Sequence, residues 1–205
     1  VETAQGVVTA KAVVLGTNAY TDELWPDLNR VFTTINYFQL ATKPMGPEAD
    51  HILPGKQGLW DTGQIMFNIR RDAENRLLVG SMGKVVGGKD RGLSHRWAKK
   101  QIARIFPSLG AVEFDDAWHG KIAMTPDHLP RIYELETNLF TPIGYNGRGI
   151  TTGTMFGETM AGLLTGMDRA DLPLPMTELS TATSAPIMSR IYQSAFTANQ
   201  ILKAI

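Results

Sequence analysis

The sequence predicts an α+β fold: an antiparallel-sheet domain with helices, flanked by strand and helix pieces of an α/β layer. Three observations predict it. Ile65, Phe67 and Ile69 alternate with Met66, Asn68 and Arg70, and after a turn at Asp72–Asn75 the chain returns over Arg76–Gly80, as a half-buried hairpin does. Val13, Val14 and Leu15 form a short apolar run inside Ala12–Gly16, suited to a strand covered on both faces. Leu139–Ile143 reads as a short buried strand that leads through Gly144-Tyr145-Asn146-Gly147-Arg148-Gly149 into a helix over Thr151–Thr165.

Composition narrows the possibilities without choosing among them. A chain of 205 residues with 43% hydrophobic content can bury a real core, as one large or two small domains. Lys plus Arg and Asp plus Glu number 20 each, so no net field favours nucleic acid or an acidic surface. The absence of cysteine excludes disulfides, thiolate catalysis and zinc–thiolate sites. No run is long enough to span a bilayer, no signal-peptide pattern stands at the start, and a cytoplasmic protein is expected. Val1 opens inside an apparent strand, and few parallel partners are in view for Val13–Leu15, so the chain is expected to be the back part of a longer protein.

The elements follow in order. Gly6–Ala10 reads as a strand before the apolar run, and Gly16-Thr17-Asn18-Ala19-Tyr20 places small residues at that run's carboxyl end, either a plain turn or the place where open α/β sheets bind ligands. Leu24–Leu28 is a linker or short helical turn. Val31–Thr42, rich in β-branched and aromatic residues, is extended, and Pro44, Gly46, Pro47, Pro54 and Gly55 mark an irregular loop after it. Ser94–Phe106 has the helical stripe Ala98, Ile102, Ile105, with Ser94 a candidate N-cap and Pro107 beyond the end. Lys84, Lys89, Arg91, Arg96, Lys99, Lys100 and Arg104 make this the basic stretch, a solvated face or a phosphate or partner patch; without interleaved aromatics it does not suit nucleic acid. Phe114–Met124 is a strand with Trp118 and Gly120 on one face, and Thr125–Pro130 is a polar turn. Asp171–Thr177 is a proline-punctuated linker, and Pro186–Ile205 a helix whose Ile187, Ile191, Phe196, Ile201, Leu202 and Ile205 call for a partner surface.

The glycine loop carries the chemistry. Three glycines in six residues let the backbone approach a ligand closely, and a strand, loop and helix start direct free N–H groups and the positive dipole end at one point. Gly149, Gly153, Gly157 and Ala161 recur every four residues, a bare ridge that needs close tertiary contact to offset about 1 kcal/mol per interior glycine. Helix-on-sheet packing after a tight turn is the competing reading. The spacing is G-x-x-G-x-G, not the dinucleotide G-x-G-x-x-G. His51, His95, His119 and His128 lack metal-ligand spacing, and neither a serine-hydrolase elbow nor a phosphate loop is present. Arg70, Arg71 or Arg76, beside the hairpin turn, could clamp a carboxylate, and Asp127 could form an Asx turn, cap a helix or bind a ribitol hydroxyl.

Phe67–Gly80, Phe106–Leu109, Trp118–Gly120 with Thr125–Pro130, and Gly144–Gly149 stand in one order, and Val13–Tyr20 precedes them. In these motifs the chain resembles the FAD-dependent D-amino-acid-oxidase-like (DAO) oxidoreductases, in the gamma-glutamylputrescine oxidoreductase and glycine/sarcosine oxidase branch, up to about Gly166. The resemblance implies a remnant of the FAD-binding domain over 1–30, an antiparallel substrate-binding domain over 31–124, the return to the FAD-binding domain over 125–170, and a C-terminal linker and helix over 171–205. It implies FAD held at Asn18, Gly144, Tyr145, Asn146, Gly147, Arg148, Gly149, Ile150 and Thr151, with substrate held by Arg70, and it points to no catalytic residue and no metal. The implied chemistry is hydride transfer from an amine-bearing carbon to the flavin, then imine hydrolysis. No G-x-G-x-x-G stands in the chain, which implies weak or absent FAD binding and no activity by this chain alone. Asn68 and Ile69 stand where relatives often carry aromatics, and Gly80-Ser81 where they often have two glycines. The expected partners are a small-molecule amine or amino acid, with no nucleic acid or membrane, and self-association through an exposed edge of the FAD-binding layer. The alternative is a cofactor-free binding domain that uses the substrate sheet or the glycine-loop anion site.

Overall fold

The computed structural model describes residues 1–181 and 185–205. In chain order its strands are β1 (Glu2–Thr3), β2 (Gly6–Val7), β3 (Val13–Val14), β4 (Thr33–Thr42), β5 (Leu59–Trp60), β6 (Phe67–Arg71), β7 (Leu77–Met82), β8 (Phe114–Met124), β9 (Arg131–Glu136), β10 (Leu139–Ile143) and β11 (Met176–Thr177). The α-helices are α1 (Leu93–Ile105), α2 (Gly149–Leu164) and α3 (Ala185–Ala204). They fall into two compact units: Val1–Thr34 with Ile122–Pro186, and Ile35–Lys121 with Ile187–Ile205. The class is α+β with mixed sheets, as the periodicities predict.

The first unit is built on a four-stranded sheet of order β11-β9-β10-β3. β10 runs antiparallel to β9 and parallel to β3, and β11 runs parallel to β9. The sequence reading passed over β9. Its signal is modest: Ile132 and Tyr133 are adjacent, both are buried, and Asn138 makes the turn into β10 in a left-handed conformation, φ +62°. Three expectations fail here. Val13–Val14 is a half-buried strand at the end of the sheet, not one covered on both faces, because β10 is its pairing neighbour and no second one is bonded to it among the described residues. Gly6–Ala10 contributes only Gly6–Val7, exposed and paired with β1. The Asp171–Thr177 stretch, expected as linker, supplies a 3₁₀ turn over Arg169–Asp171 and then β11. Ile132, Phe140, Phe156 and Met160 form the core between this sheet and α2, and a second cluster holds Leu28, Phe32, Tyr133 and Ile143.

The second unit carries a five-stranded sheet of order β5-β6-β7-β4-β8. The β6–β7 hairpin has the predicted register, with Ile69 opposite Val79 and Arg71 opposite Leu77. Phe38, Leu40, Phe67, Ile69, Leu77 and Val79 cover one face and meet Trp97, Ala98 and Ile102 of α1. Trp97 stands edge-on to Phe38 at 5.0 Å between ring centroids. At roughly 25 cal/mol per Å², such burial dominates the stability of this layer. Ser94 does not cap α1: the N-cap is Gly92, and the buried Ser94 hydroxyl accepts from Val86 N and donates to Gln200 Oε1 at 3.0 Å.

That bond also bears on α3. Of the six apolar residues expected to face a partner, Phe196 is buried, whereas Ile187, Ile191, Ile201, Leu202 and Ile205 are exposed. The helix is oriented by polar contacts instead. Gln200, fully buried, also donates to Lys84 O at 3.2 Å, and Asn36 donates to Gln193 Oε1 at 3.3 Å. A buried amide must keep its partners, and these bonds, with buried Phe196, set which side of α3 faces the sheet unit.

Candidate functional site

The glycine loop of the first unit forms as a chain of left-handed residues. Gly144, Asn146 and Gly147 have φ of +81°, +52° and +82°. Gly144 is buried and leaves no room for a side chain, because a Cβ there would drive into Thr125 Cγ2. Its N–H donates to Asn18 Oδ1 at 3.0 Å, which ties the loop to the turn at the carboxyl end of β3. Asn146 locks the other side: its Oδ1 accepts from Thr125 N at 2.8 Å and Thr125 Oγ1 at 3.1 Å, and its Nδ2 donates to Gly144 O. An Asn tolerates this backbone and supplies both an acceptor and a donor, which explains the residue type.

Beyond the loop, α2 begins at Gly149, and its first N–H groups, those of Gly149, Ile150 and Thr151, have no intrahelical acceptor. No side chain caps this end. Gly149 has nothing within 4 Å of where a Cβ would lie, and Ile150 is 87% exposed. The result is an open helix start aimed past glycine, a dipole end suited to a partial negative charge.

The structure therefore brings together Asn18, Gly144 and Asn146, and leaves Gly147, Arg148, Gly149, Ile150 and Thr151 exposed around the helix start. Tyr145 points elsewhere: its ring stacks on Phe156 of α2 at 5.7 Å, and burial raises its phenol. The bare ridge is a correction. Gly149 and Gly157 have no neighbour within 4 Å of a Cβ position, and Gly153 meets only Tyr145, at 3.6 Å, so the expected close packing along the ridge is absent among the described residues. Thr17 Oγ1, beside Asn18, is buried without a hydrogen-bond partner.

The Thr125–Pro130 turn closes the same unit. Asp127 accepts from Leu129 N at 3.2 Å in an Asx turn and pairs with Arg131, whose hydrogen bond holds the Asp127 carboxyl below its ordinary range. A cleft of about 230 Å³ lies beside it, lined by Thr125, Asp127, Arg131, Tyr133 and Ser180 among others.

In the second unit, attention moves to the sheet face opposite Phe67 and Ile69. The three arginines of the hairpin separate by function. Arg76 pairs with Asp72 and Glu74. Arg71 lies on the core side, its side chain 7% exposed, and donates to Ile52 O, Asp50 Oδ1 and Asn75 Oδ1, so it is a structural residue. Arg70 lies on the other face and is exposed. On that face Trp60, Asn68, Gly80 and Gln39 stand opposite one another across four strands. Gln39 Oε1 and Asn68 Oδ1 are both buried and have no hydrogen-bond partner. The sequence reading missed Gln39. Its signal is a polar residue between Phe38 and Leu40, alternating onto the face away from the core.

Comparison with known proteins adds the context. The family model for FAD dependent oxidoreductases, DAO, matches residues 1–163. The chain belongs to that family. It is 32% identical over 168 residues to the gamma-glutamylputrescine oxidoreductase of Escherichia coli, covering 81% of this chain and 39% of that protein. It is 30% identical over 173 residues to the probable oxidoreductase OrdL of Haemophilus influenzae, covering 82% of this chain and 39% of the relative. Glycine oxidase from Bacillus cereus has the same fold over 82% of this chain and 46% of its own, with a TM-score of 0.63 at 20% identity. Amadoriase I from Aspergillus fumigatus, a fructosyl amine:oxygen oxidoreductase, gives a TM-score of 0.64 at 18% identity, over 83% of this chain and 43% of its own. The chain thus spans about 39% of the length of these curated relatives. No described helix is long and apolar enough to cross a membrane, and the described residues hold no cluster of three metal-ligating side chains.

Proposed function

We propose that this chain supplies the carboxyl-terminal part of an FAD-dependent oxidoreductase that oxidises the C–N bond of an amine or amino acid. In this reading the first unit holds part of the flavin and the antiparallel sheet of the second unit binds substrate. The observation that carries the reading is the Asn18–Gly144 bond, which holds the glycine loop at the open start of α2. The residues fit the cofactor. Gly147 and Gly149 leave the backbone uncovered, three helix N–H groups point outward, and Thr17 has a buried hydroxyl without a partner.

When bound, FAD supplies the hydride acceptor. What the chain adds is electrostatic and positional. The N–H groups of Gly149, Ile150 and Thr151, with the α2 dipole behind them, stabilise negative charge by about 0.3–1 kcal/mol, up to ~2 when partly buried. Asn18 and Asn146 fix the loop from two sides, so that these donors need no rearrangement. Arg70 is the candidate contact for a substrate carboxylate, since it is the exposed arginine of the hairpin.

A flavin titration of the purified chain tests this, following the visible spectrum and fluorescence of added FAD. Weak but saturable binding with a spectral shift, abolished in Gly147→Val, is the expected result. A Gly147→Val protein that binds FAD as well as the parent would sink the loop as a flavin site. If the parent shows no binding up to high micromolar FAD, the chain's flavin contribution depends on the dinucleotide fingerprint that its own residues lack.

A further inference from the structure

The chain's zero net charge conceals two opposite surpluses. The first unit holds eleven Asp and Glu against five Lys and Arg, and the second holds nine against fifteen. A neutral chain with its charge separated in this way has no net repulsion to keep copies apart and a local attraction to bring them together. Much of the basic surplus stands on α1. Leu93–Ile105 contains no acidic residue, and Arg96, Lys99, Lys100 and Arg104 occupy its exposed side. Arg91 stands exposed just before the N-cap Gly92.

This arrangement costs the helix. Arg96 and Lys99 are three residues apart, and Arg96 with Lys100 and Lys100 with Arg104 are four apart, so three like-charged pairs repel along one side. Arg96 also lies in the first turn, where the positive end of the dipole disfavours a cation. Packing accounts for Arg104, whose guanidinium lies 5.6 Å over the Phe67 ring and donates to Gln101 Oε1 at 3.3 Å. Arg91, Arg96, Lys99 and Lys100 have no ion-pair partner among the described residues. A neighbouring cleft of about 310 Å³, lined by Lys43, Lys89, His95 and Lys99 among others, differs: Glu113 pairs with Lys43 at 2.7 Å and Asp90 with Lys89 at 3.4 Å. The unmatched charge therefore lies along the helix and not in the cleft, which favours a broad acidic surface over a small anion.

We propose that the exposed side of α1 is a contact surface for the acidic first unit of a second copy of this chain. Charge complementarity names the occupant: the first unit's surplus of six carboxylates equals the second unit's surplus of six cations. An acidic surface laid against Arg96, Lys99 and Lys100 offsets the repulsion along the helix. The two surfaces in contact are different, so the interface is heterologous and copies add head to tail. The contact needs no flavin. It also differs from pairing at a free sheet edge, which would not depend on the cations of α1.

Sedimentation equilibrium of the whole chain without flavin tests this over a range of protein concentrations. It is run at about 0.01 M and about 1 M sodium chloride, between which the screening length falls from about 30 Å to about 3 Å. At low salt the average mass should rise above the monomer value with concentration, and at high salt it should return to it. Arg96→Glu combined with Lys100→Glu should weaken association by about tenfold or more. Its thermal midpoint should stay level or rise, because like-charged pairs have been removed. Lys56→Glu combined with Arg190→Glu, the same change of charge at exposed cations of the second unit outside α1, should keep most of the association. Mixed with fluorescently labelled parent, the α1 variant still offers its acidic unit but accepts no further copy, so it should end chains and lower the mass of the labelled assemblies. A monomer at both salt concentrations, association that survives high salt or the α1 reversal, an equal loss in the control pair, or labelled assemblies unaffected by the variant would each overturn the proposal.

Discussion

Arg71→Met separates the two adjacent arginines of the β6–β7 hairpin. The Arg71 guanidinium donates to Ile52 O at 3.1 Å, Asp50 Oδ1 at 3.0 Å and Asn75 Oδ1, with a side chain only 7% exposed. Methionine keeps much of the stem's packing and removes all three donors. Asp50 is 69% exposed and returns to water at little cost. The Ile52 carbonyl belongs to a buried residue, and Asn75 is partly buried, so each loses its partner where water is scarce. Stranding a buried acceptor costs about 1–3 kcal/mol, and the relief of an ionised group from burial offsets part of the pair. The net expectation is a loss of about 2–4 kcal/mol. Arg70→Met, on the exposed side of the same strand, should fall within about 0.5 kcal/mol of the parent. Urea unfolding followed by tryptophan fluorescence reads both, since Trp97 is fully buried in the same core. An Arg71→Met protein as stable as the parent, or an Arg70→Met protein as damaged as Arg71→Met, would refute the assignment of structural and surface roles.

Two further substitutions and one titration check other parts of the argument. Gly144→Ala should be strongly destabilising, because its φ of +81° disfavours any side chain and its Cβ would strike Thr125, while Gly157→Ala, in open space on α2, should stabilise by about 0.5–1 kcal/mol; thermal midpoints in the opposite order would contradict the exposed ridge. Arg169 donates to both carboxylate oxygens of Glu134, and that bond holds the Glu134 carboxyl below its ordinary range. A depressed folded-state value means stability that is present at neutral pH and is lost as pH falls through the folded-state value. Glu134→Gln should therefore flatten the acid limb of the stability–pH curve and leave neutral pH little changed, since the pair is largely exposed; an acid limb unchanged in the variant would show that the pair does not couple to folding.

The local patterns in the sequence were enough for the hairpin, α1 and the strand–loop–helix at Gly144. Each rests on short-range rules: alternation sets Phe67 and Ile69 inward, a helical period sets Ala98 and Ile102 against them, and glycine permits the positive φ of the loop. Family membership was legible from the order of the motifs, because each motif constrains backbone and not only composition. β9 escaped because Ile132 and Tyr133 are adjacent and not alternating, so their burial follows from sheet position. Ser94 is no cap because its hydroxyl bonds to Gln200, 106 residues away, and no local rule contains that partner.

By itself, then, the sequence determined the class of the fold, the family, and the backbone freedom needed at Gly144 and Gly147. Tertiary structure alone decided which arginine is buried, that α3 is oriented by Gln200 and not by its isoleucines, and that Gln39 and Asn68 flank one glycine. The physical reason is the range of the interactions. Backbone sterics and apolar periodicity act over a few residues, whereas satisfaction of a buried polar group depends on partners supplied by distant segments.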